Sequence, residues 1–250
     1  METLTLISTT IPNIPLFFSL YFIIYVIAYL IIFKNWSPKL RPEASSCAIS
    51  LIHGTPAVFL ASKAIFVDPN FNFDSPNTIF QNLVLDYSIS YFFMDLFHYL
   101  VFYPSDVLFI LHHLATLFVF LTCRFVVFHG GCALLVLLIL AEVTSFCQNA
   151  WTLASARRND LEFAAKLYDY LSPPFYALYS VVRGCVGPAF VFKMLMFYVS
   201  GAAHNVVPKW AWISWVFVVF TAISVSILWV VNRWIDYFRE RNRKIQKKVR

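Results

Sequence analysis

The sequence predicts an all-α, polytopic membrane bundle of about seven transmembrane helices, and three observations carry that prediction. Of its 250 residues 60% are hydrophobic and only 13% charged, far from the balance of a soluble domain. Apolar runs of about 20 residues, the length that spans a bilayer, recur at 14–33, 45–65, 82–102, 107–127, 131–152, 173–199 and 210–232. Eight of the 19 Lys and Arg fall in the last 18 residues, directly behind the last run. A basic segment in that place anchors on an anionic cytosolic leaflet, so the net charge of +6 points to lipid rather than to nucleic acid.

Each element follows in turn. The first run has no basic segment before it and is too long for a cleaved signal, so residues 1–40 read as an uncleaved membrane helix with its loop. Runs three and four are separated only by the residues around Tyr103–Asp106 and form a tight antiparallel pair. Gly130 and Gly131 break run four from run five. Ser172 before Pro173 marks the start of run six, since Ser caps a helix and Pro is tolerated in its first turn. If the tail is cytosolic, seven spans place Lys34, Lys39, Arg41, Arg157, Arg158 and Lys166 beside it, against Lys63, Arg124 and Lys209 at lumenal ends. That asymmetry predicts a lumenal N-terminus and a cytosolic C-terminus. Residues 241–250 form the basic tail, where Lys247 and Lys248 resemble a dilysine signal for retrieval to the endoplasmic reticulum. The five cysteines show neither a disulfide framework nor zinc-knuckle spacing.

A charged or titratable side chain at membrane depth costs about 2.5–3.5 kcal/mol on insertion scales, so the few present mark a site. His112 and His113 sit together in the run DVLFILHHLAT. Tyr91, Asp95 and His98 fall at i, i+4 and i+7, on one helix face. Glu142, Ser145 and Asn149 repeat at i, i+3 and i+7, and His53 and Arg183 lie within runs two and six. At 1.5 Å per residue all fall in one layer between the cytosolic surface and the midplane. Asp95 beside His98 suggests a carboxylate orienting an imidazole. His112 and His113 diverge by about 100°, so one faces the site and the other a helix, with Thr116 in reach of either ring. Arg183, read as the one buried guanidinium, cannot shed its charge and needs Glu142, Asp95 or a ligand phosphate. A single zinc held by His53, His98, one of the paired histidines and Asp95 or Glu142 is an alternative. Interhelical hydrogen bonding without chemistry is the plain one.

Taken together, Ser50-x-x-His53 after a basic loop, Tyr91-x-x-x-Asp95, Asp106 ahead of His112-His113, Glu142-Val-Thr-Ser, and Arg183 with Pro188 resemble the TLC domain. That domain is shared by ceramide synthases, translocon-associated TRAM proteins and small lipid-associated membrane proteins, and the chain looks closest to the small members. The likeness covers residues 41–240 and implies six helices around a lipid-accessible cavity. In ceramide synthases the paired histidines and downstream acidic residues transfer an acyl group from acyl-CoA. Carried over, His112, His113, Asp95 and Glu142 become catalytic candidates, and His53, Tyr91, His98, Ser145, Asn149 and Arg183 substrate-binding ones. No cofactor or resident metal is expected, with acyl-CoA as co-substrate. Two departures stand out: the synthases' acidic pair is replaced by Glu142 followed by Thr144 and Ser145, and no homeobox-like segment precedes the bundle. The expectation is therefore a multi-pass protein of the endoplasmic reticulum that binds or processes a lipid or acyl chain in membrane lipid homeostasis. A synthase-like acyltransferase is its alternative, and an intramembrane zinc lipid hydrolase a further one.

Overall fold

A computed structural model describes residues 12–249, leaving out the side chains of 244, 245 and 247–249; the two lysines of the retrieval motif thus fall outside the described side chains. The chain is a bundle of helices. α1 spans Ile14–Ile27 and widens into a π turn at Ala28–Ile32; α2 is Arg41–Phe66, α3 Ile79–Phe102, and α4 Val107–Thr122 with a π turn at Cys123–Val127. α5 (Gly131–Glu142) and α6 (Ser145–Arg157) make one crossing, broken at Val143 and Thr144. α7 (Glu162–Val181), a π turn at Val182–Val186 and α8 (Gly187–Val199) form another, and α9 is Lys209–Val249.

Six stretches are long and apolar enough to cross a membrane: Ile14–Ile32, Arg41–Phe66, Val107–Val127, Gly131–Arg157, Glu162–Val199 and Lys209–Arg243. α3 is the seventh crossing and is not among them, for a reason that locates the site. It is the central helix, with 14 of its 24 residues buried, and those include Gln81, Asp86, Ser88, Ser90, Asp95 and His98. A helix surrounded by protein needs no lipid-facing apolar coat. Its start is fixed by a capping box, in which the Thr78 hydroxyl accepts from Gln81 N–H while the Gln81 side chain accepts from Thr78 N–H.

Two sequence expectations are corrected here. The sixth crossing does not begin at Ser172: the helix starts at Glu162 and carries Pro173 and Pro174 in its interior. Ser172 instead accepts from Trp151 Nε1 at 2.8 Å and donates to the Tyr168 carbonyl, packing α7 on α6 within an aromatic cluster of Trp151, Phe175, Tyr176 and Tyr179. The fifth crossing is likewise not one regular helix, so Glu142 ends one segment and Ser145 opens the next.

A proline inside a helix frees the carbonyl four residues earlier. Pro56 in α2 frees that of Ile52, and the Tyr87 hydroxyl of α3 donates to it at 2.7 Å. In a bilayer, where no water can satisfy it, such a carbonyl must find a protein donor. At the end of the bundle away from the basic residues, the 67–78 segment folds inward as a closure. Asn77 accepts from Gly131 N–H and donates to the Cys123 carbonyl, Gln81 donates to Asp68, and Tyr198 donates to the Phe73 carbonyl. At the basic end an open groove of about 350 Å³ runs between the α1–α2 and α6–α7 connections, lined by Asn35, Ser37, Leu40, Arg157 and Asp160 among others.

Candidate functional site

The polar side chains of the central layer come from five helices. α3 supplies Ser88, Tyr91 and Asp95 at i, i+3 and i+7, one face of the helix. α2 faces it with Ser46, Ser50 and His53 at i, i+4 and i+7. α4 adds His113, and the α5–α6 break adds Glu142, Ser145 and Asn149.

Asp95 is the hub. It is 4% exposed, and its Oδ1 accepts from Ser46 Oγ at 2.6 Å. Its Oδ2 lies 2.9 Å from His113 Nε2 and 3.4 Å from the Tyr91 hydroxyl, which donates to it. The other ring nitrogen of His113, Nδ1, is 2.8 Å from the Phe109 carbonyl. A carbonyl only accepts, so Nδ1 carries a proton, and the short Nε2–Oδ2 contact holds a second. The pair therefore shares two protons and no net charge, which is how an imidazole and a carboxyl can both lie deep in a bilayer.

His112 turns the other way. Its ring is exposed, edge-on to His113 with centroids 5.6 Å apart. One histidine thus enters the packed layer and its neighbour remains accessible, as the divergence on the helix requires. Thr116, expected to bond one of the two rings, donates instead to the His112 backbone carbonyl at 2.8 Å.

His98 does not orient on Asp95 as its spacing suggested. Its Nδ1 is 2.8 Å from the Tyr25 hydroxyl of α1, within a ring of Tyr25, Tyr99, Phe102 and Tyr103. The carboxylate takes its imidazole from the next helix instead. His53 stacks on Tyr91 at 4.0 Å and bonds Ser88 Oγ through Nε2 at 3.1 Å. Asn149 donates to Ser50 Oγ at 2.8 Å and to both the hydroxyl and the carbonyl of Ser145, so this stripe joins α6 to α2.

The buried guanidinium is not Arg183. Arg124, counted at a lumenal end from the sequence, is 4% exposed and pairs with Asp86 at 2.9 Å, while the Asp86 carboxylate also accepts from Asn13 N–H at 3.1 Å. Arg183 is half-buried in the Val182–Val186 π turn, lies over the Tyr179 ring and donates to the Ala141 carbonyl at 2.9 Å. Residues capable of holding a metal do not converge: among the described residues no three His, Cys, Asp or Glu side chains are so grouped.

The sequence reading missed Ser46, Ser88 and the Asp86–Arg124 pair. Ser46 was findable, because it extends the Ser50/His53 stripe by one turn. Ser88 does the same for Tyr91 and Asp95.

With this geometry in view, comparison with known proteins is informative. The family profile of the TLC domain matches residues 43–234. A TLC domain-containing protein of Arabidopsis thaliana is 62% identical over 246 residues, which cover 96% of this chain and 97% of the relative. No solved structure matches.

Proposed function

The chain belongs to the TLC-domain family, and from that premise we propose that it binds or processes a lipid or acyl chain in membrane lipid homeostasis, as a multi-pass protein of the endoplasmic reticulum. The lipid reaches the site from the cytosolic leaflet. The observation that carries this reading is the Asp95–His113 pair, built into the most buried helix of a membrane bundle beside an accessible His112. A protein that used its polar groups only to hold helices together would have no need of an exposed imidazole at that depth.

In the enzymatic form of the proposal the reaction is acyl transfer from acyl-CoA. His112, accessible, meets the acyl donor. His113 exchanges a proton with Asp95, which Ser46 and Tyr91 hold in place. Arg183 faces the anionic part of the donor, and Glu142 serves the acceptor. The non-enzymatic form is lipid binding or sensing, and one observation favours it: Asp95 is already saturated by Ser46, Tyr91 and His113, an arrangement suited to holding shape.

Intact-mass analysis of purified protein incubated with long-chain acyl-CoA separates the two, with His112→Ala and His113→Ala beside the wild type. An acyl adduct abolished by either substitution supports transfer. No adduct, with a co-purifying lipid retained by the wild type, supports binding. Neither adduct nor lipid sinks both. Orientation has its own test: Asn35-Trp36-Ser37 is a glycosylation sequon and stays unmodified if its loop is cytosolic.

A further inference from the structure

A second imidazole and carboxyl share the layer with Asp95 and His113, and they are not in direct contact. His53 is fully buried; its Nδ1 has no hydrogen-bond partner and stands 3.8 Å from Glu142 Oε1, beyond hydrogen-bonding distance. The Tyr21 hydroxyl of α1 is also fully buried without a partner. Its ring packs against those of His53, Tyr87 and Tyr91 at centroid distances of 6.2, 5.5 and 5.8 Å. A buried polar group left unpaired costs about 1–3 kcal/mol, and in a bilayer no bulk water relieves it. The unpaired His53 nitrogen beside that carboxyl, with a second unpaired hydroxyl on the ring packed against His53, marks a place for a polar group from outside the chain. Gly54 is what lets the carboxyl reach it: a Cβ there would lie 2.6 Å from Glu142 Oε2 and 2.7 Å from Ser145 Oγ.

The chemistry of the incoming group follows from its partners. Two atoms 3.8 Å apart can both be bonded by one atom about 2.8 Å from each. That atom has to satisfy a carboxyl on one side and an imidazole nitrogen on the other, whichever tautomer His53 adopts. A carbonyl cannot donate, an ammonium cannot accept, and a phosphate or carboxylate is repelled by Glu142. A hydroxyl oxygen donates once and accepts twice, so it fits either tautomer. We propose that His53 Nδ1, Glu142 and the Tyr21 hydroxyl form a subsite for one hydroxyl group, that of a water molecule or of a long-chain alcohol.

The site stands on this geometry alone, while its chemical use rests on the acyl-transfer reading. There the bound oxygen attacks the thioester carbonyl carbon, and its proton passes to Glu142. The new C–O bond forms as the C–S bond breaks, the thiolate leaving with the electron pair and taking up the proton. Water as acceptor gives a fatty acid; an alcohol gives an ester.

The test uses the full chain, labelled with 15N-histidine, in phosphatidylcholine vesicles, read by solid-state NMR transfer from water protons to the His53 ring. The expected result is transfer to His53 Nδ1 in the wild type, lost in Gly54→Ala and weakened in Tyr21→Phe, with the His113 resonances unmoved in both. If Gly54→Ala fails to fold, which loss of the His113 signals reveals, Tyr21→Phe carries the test, since it adds no volume. Added 1-hexadecanol, 13C-labelled at C1, distinguishes the sources: transfer from its C1 in place of water identifies an alcohol, and persistence of the water signal identifies water. A wild-type His53 that receives transfer from neither overturns the site. None of these readouts depends on adduct formation, so the site and the acyl-transfer reading can fail separately.

Discussion

α3 and α4 are joined by two buried pairs of the same length, Asp86–Arg124 and Asp95–His113, each with its closest N–O contact at 2.9 Å. They lie about 13 Å apart along α3, nine residues at 1.5 Å each. Their partners set them apart. A guanidinium holds its proton, and Asp86 is tied further to the start of α1 through Asn13 N–H. This pair, near the closed end, is a fastener. An imidazole can pass a proton to and from a neighbour where a guanidinium cannot, and the hydroxyls around Asp95 can follow it. Geometry alone thus does not separate a structural pair from a reactive one; the titratability of the cation and the side chains around it do.

The comparison can be broken at its strong end first. Asp86→Ala removes the carboxylate that pairs with the buried Arg124 guanidinium and is expected to cost about 3–5 kcal/mol, read as a collapse of the thermal midpoint in detergent. The double change Asp86→Leu with Arg124→Met should recover most of it, and a double variant as unstable as the single one would contradict a fastening role. Asp95→Asn keeps size and polarity while removing the base. It should leave a folded protein but slow adduct formation by about 100-fold or more, the scale of general acid–base catalysis; a wild-type rate would reduce this pair to a second fastener. Ser46→Ala removes one hydrogen bond to the carboxyl and should lower stability by about 1.5–3 kcal/mol, measured by the same thermal scan. Tyr87→Phe strands the Ile52 carbonyl freed by Pro56 and should cost about 1 kcal/mol. Thr116→Ala, whose hydroxyl bonds only its own helix, should stay within about 0.5 kcal/mol of wild type. A larger loss would show that Thr116 does touch the histidines.

Helix number and order were legible because apolar length is a nearly sufficient signal for a bilayer crossing, and the short connection at Tyr103–Asp106 forces α3 against α4. The polar layer was legible for the same reason reversed, since each titratable residue stood out in an apolar run. Partner choice was not. Spacing along α3 assigned His98 to Asp95, but side chains three apart on a helix sit side by side, and the facing α4 offered His113 end-on. Pro173 misled because a proline that would end a helix in water can persist inside one packed in a membrane, where neighbours take up what it frees. Arg124 was counted as loop charge because a residue near the end of a run reads as a boundary, whereas the π turn at Cys123–Val127 carries it into the bundle. Gly54 carried no signal of its own; only the approach of Glu142 in three dimensions gives it meaning.

The polarity of α3 has a consequence for how the chain enters the membrane during synthesis. On its own, α3 would bring two aspartates into lipid at about 2.5–3.5 kcal/mol each, and with them it is the one crossing that falls short of the hydropathy the other six reach. α4 follows after the four residues from Tyr103 to Asp106 and carries a partner for each aspartate, Arg124 for Asp86 and His113 for Asp95. The two helices are therefore competent for insertion as a hairpin and not one after the other, and the translocation machinery has to hold α3 at its exit until α4 has been made.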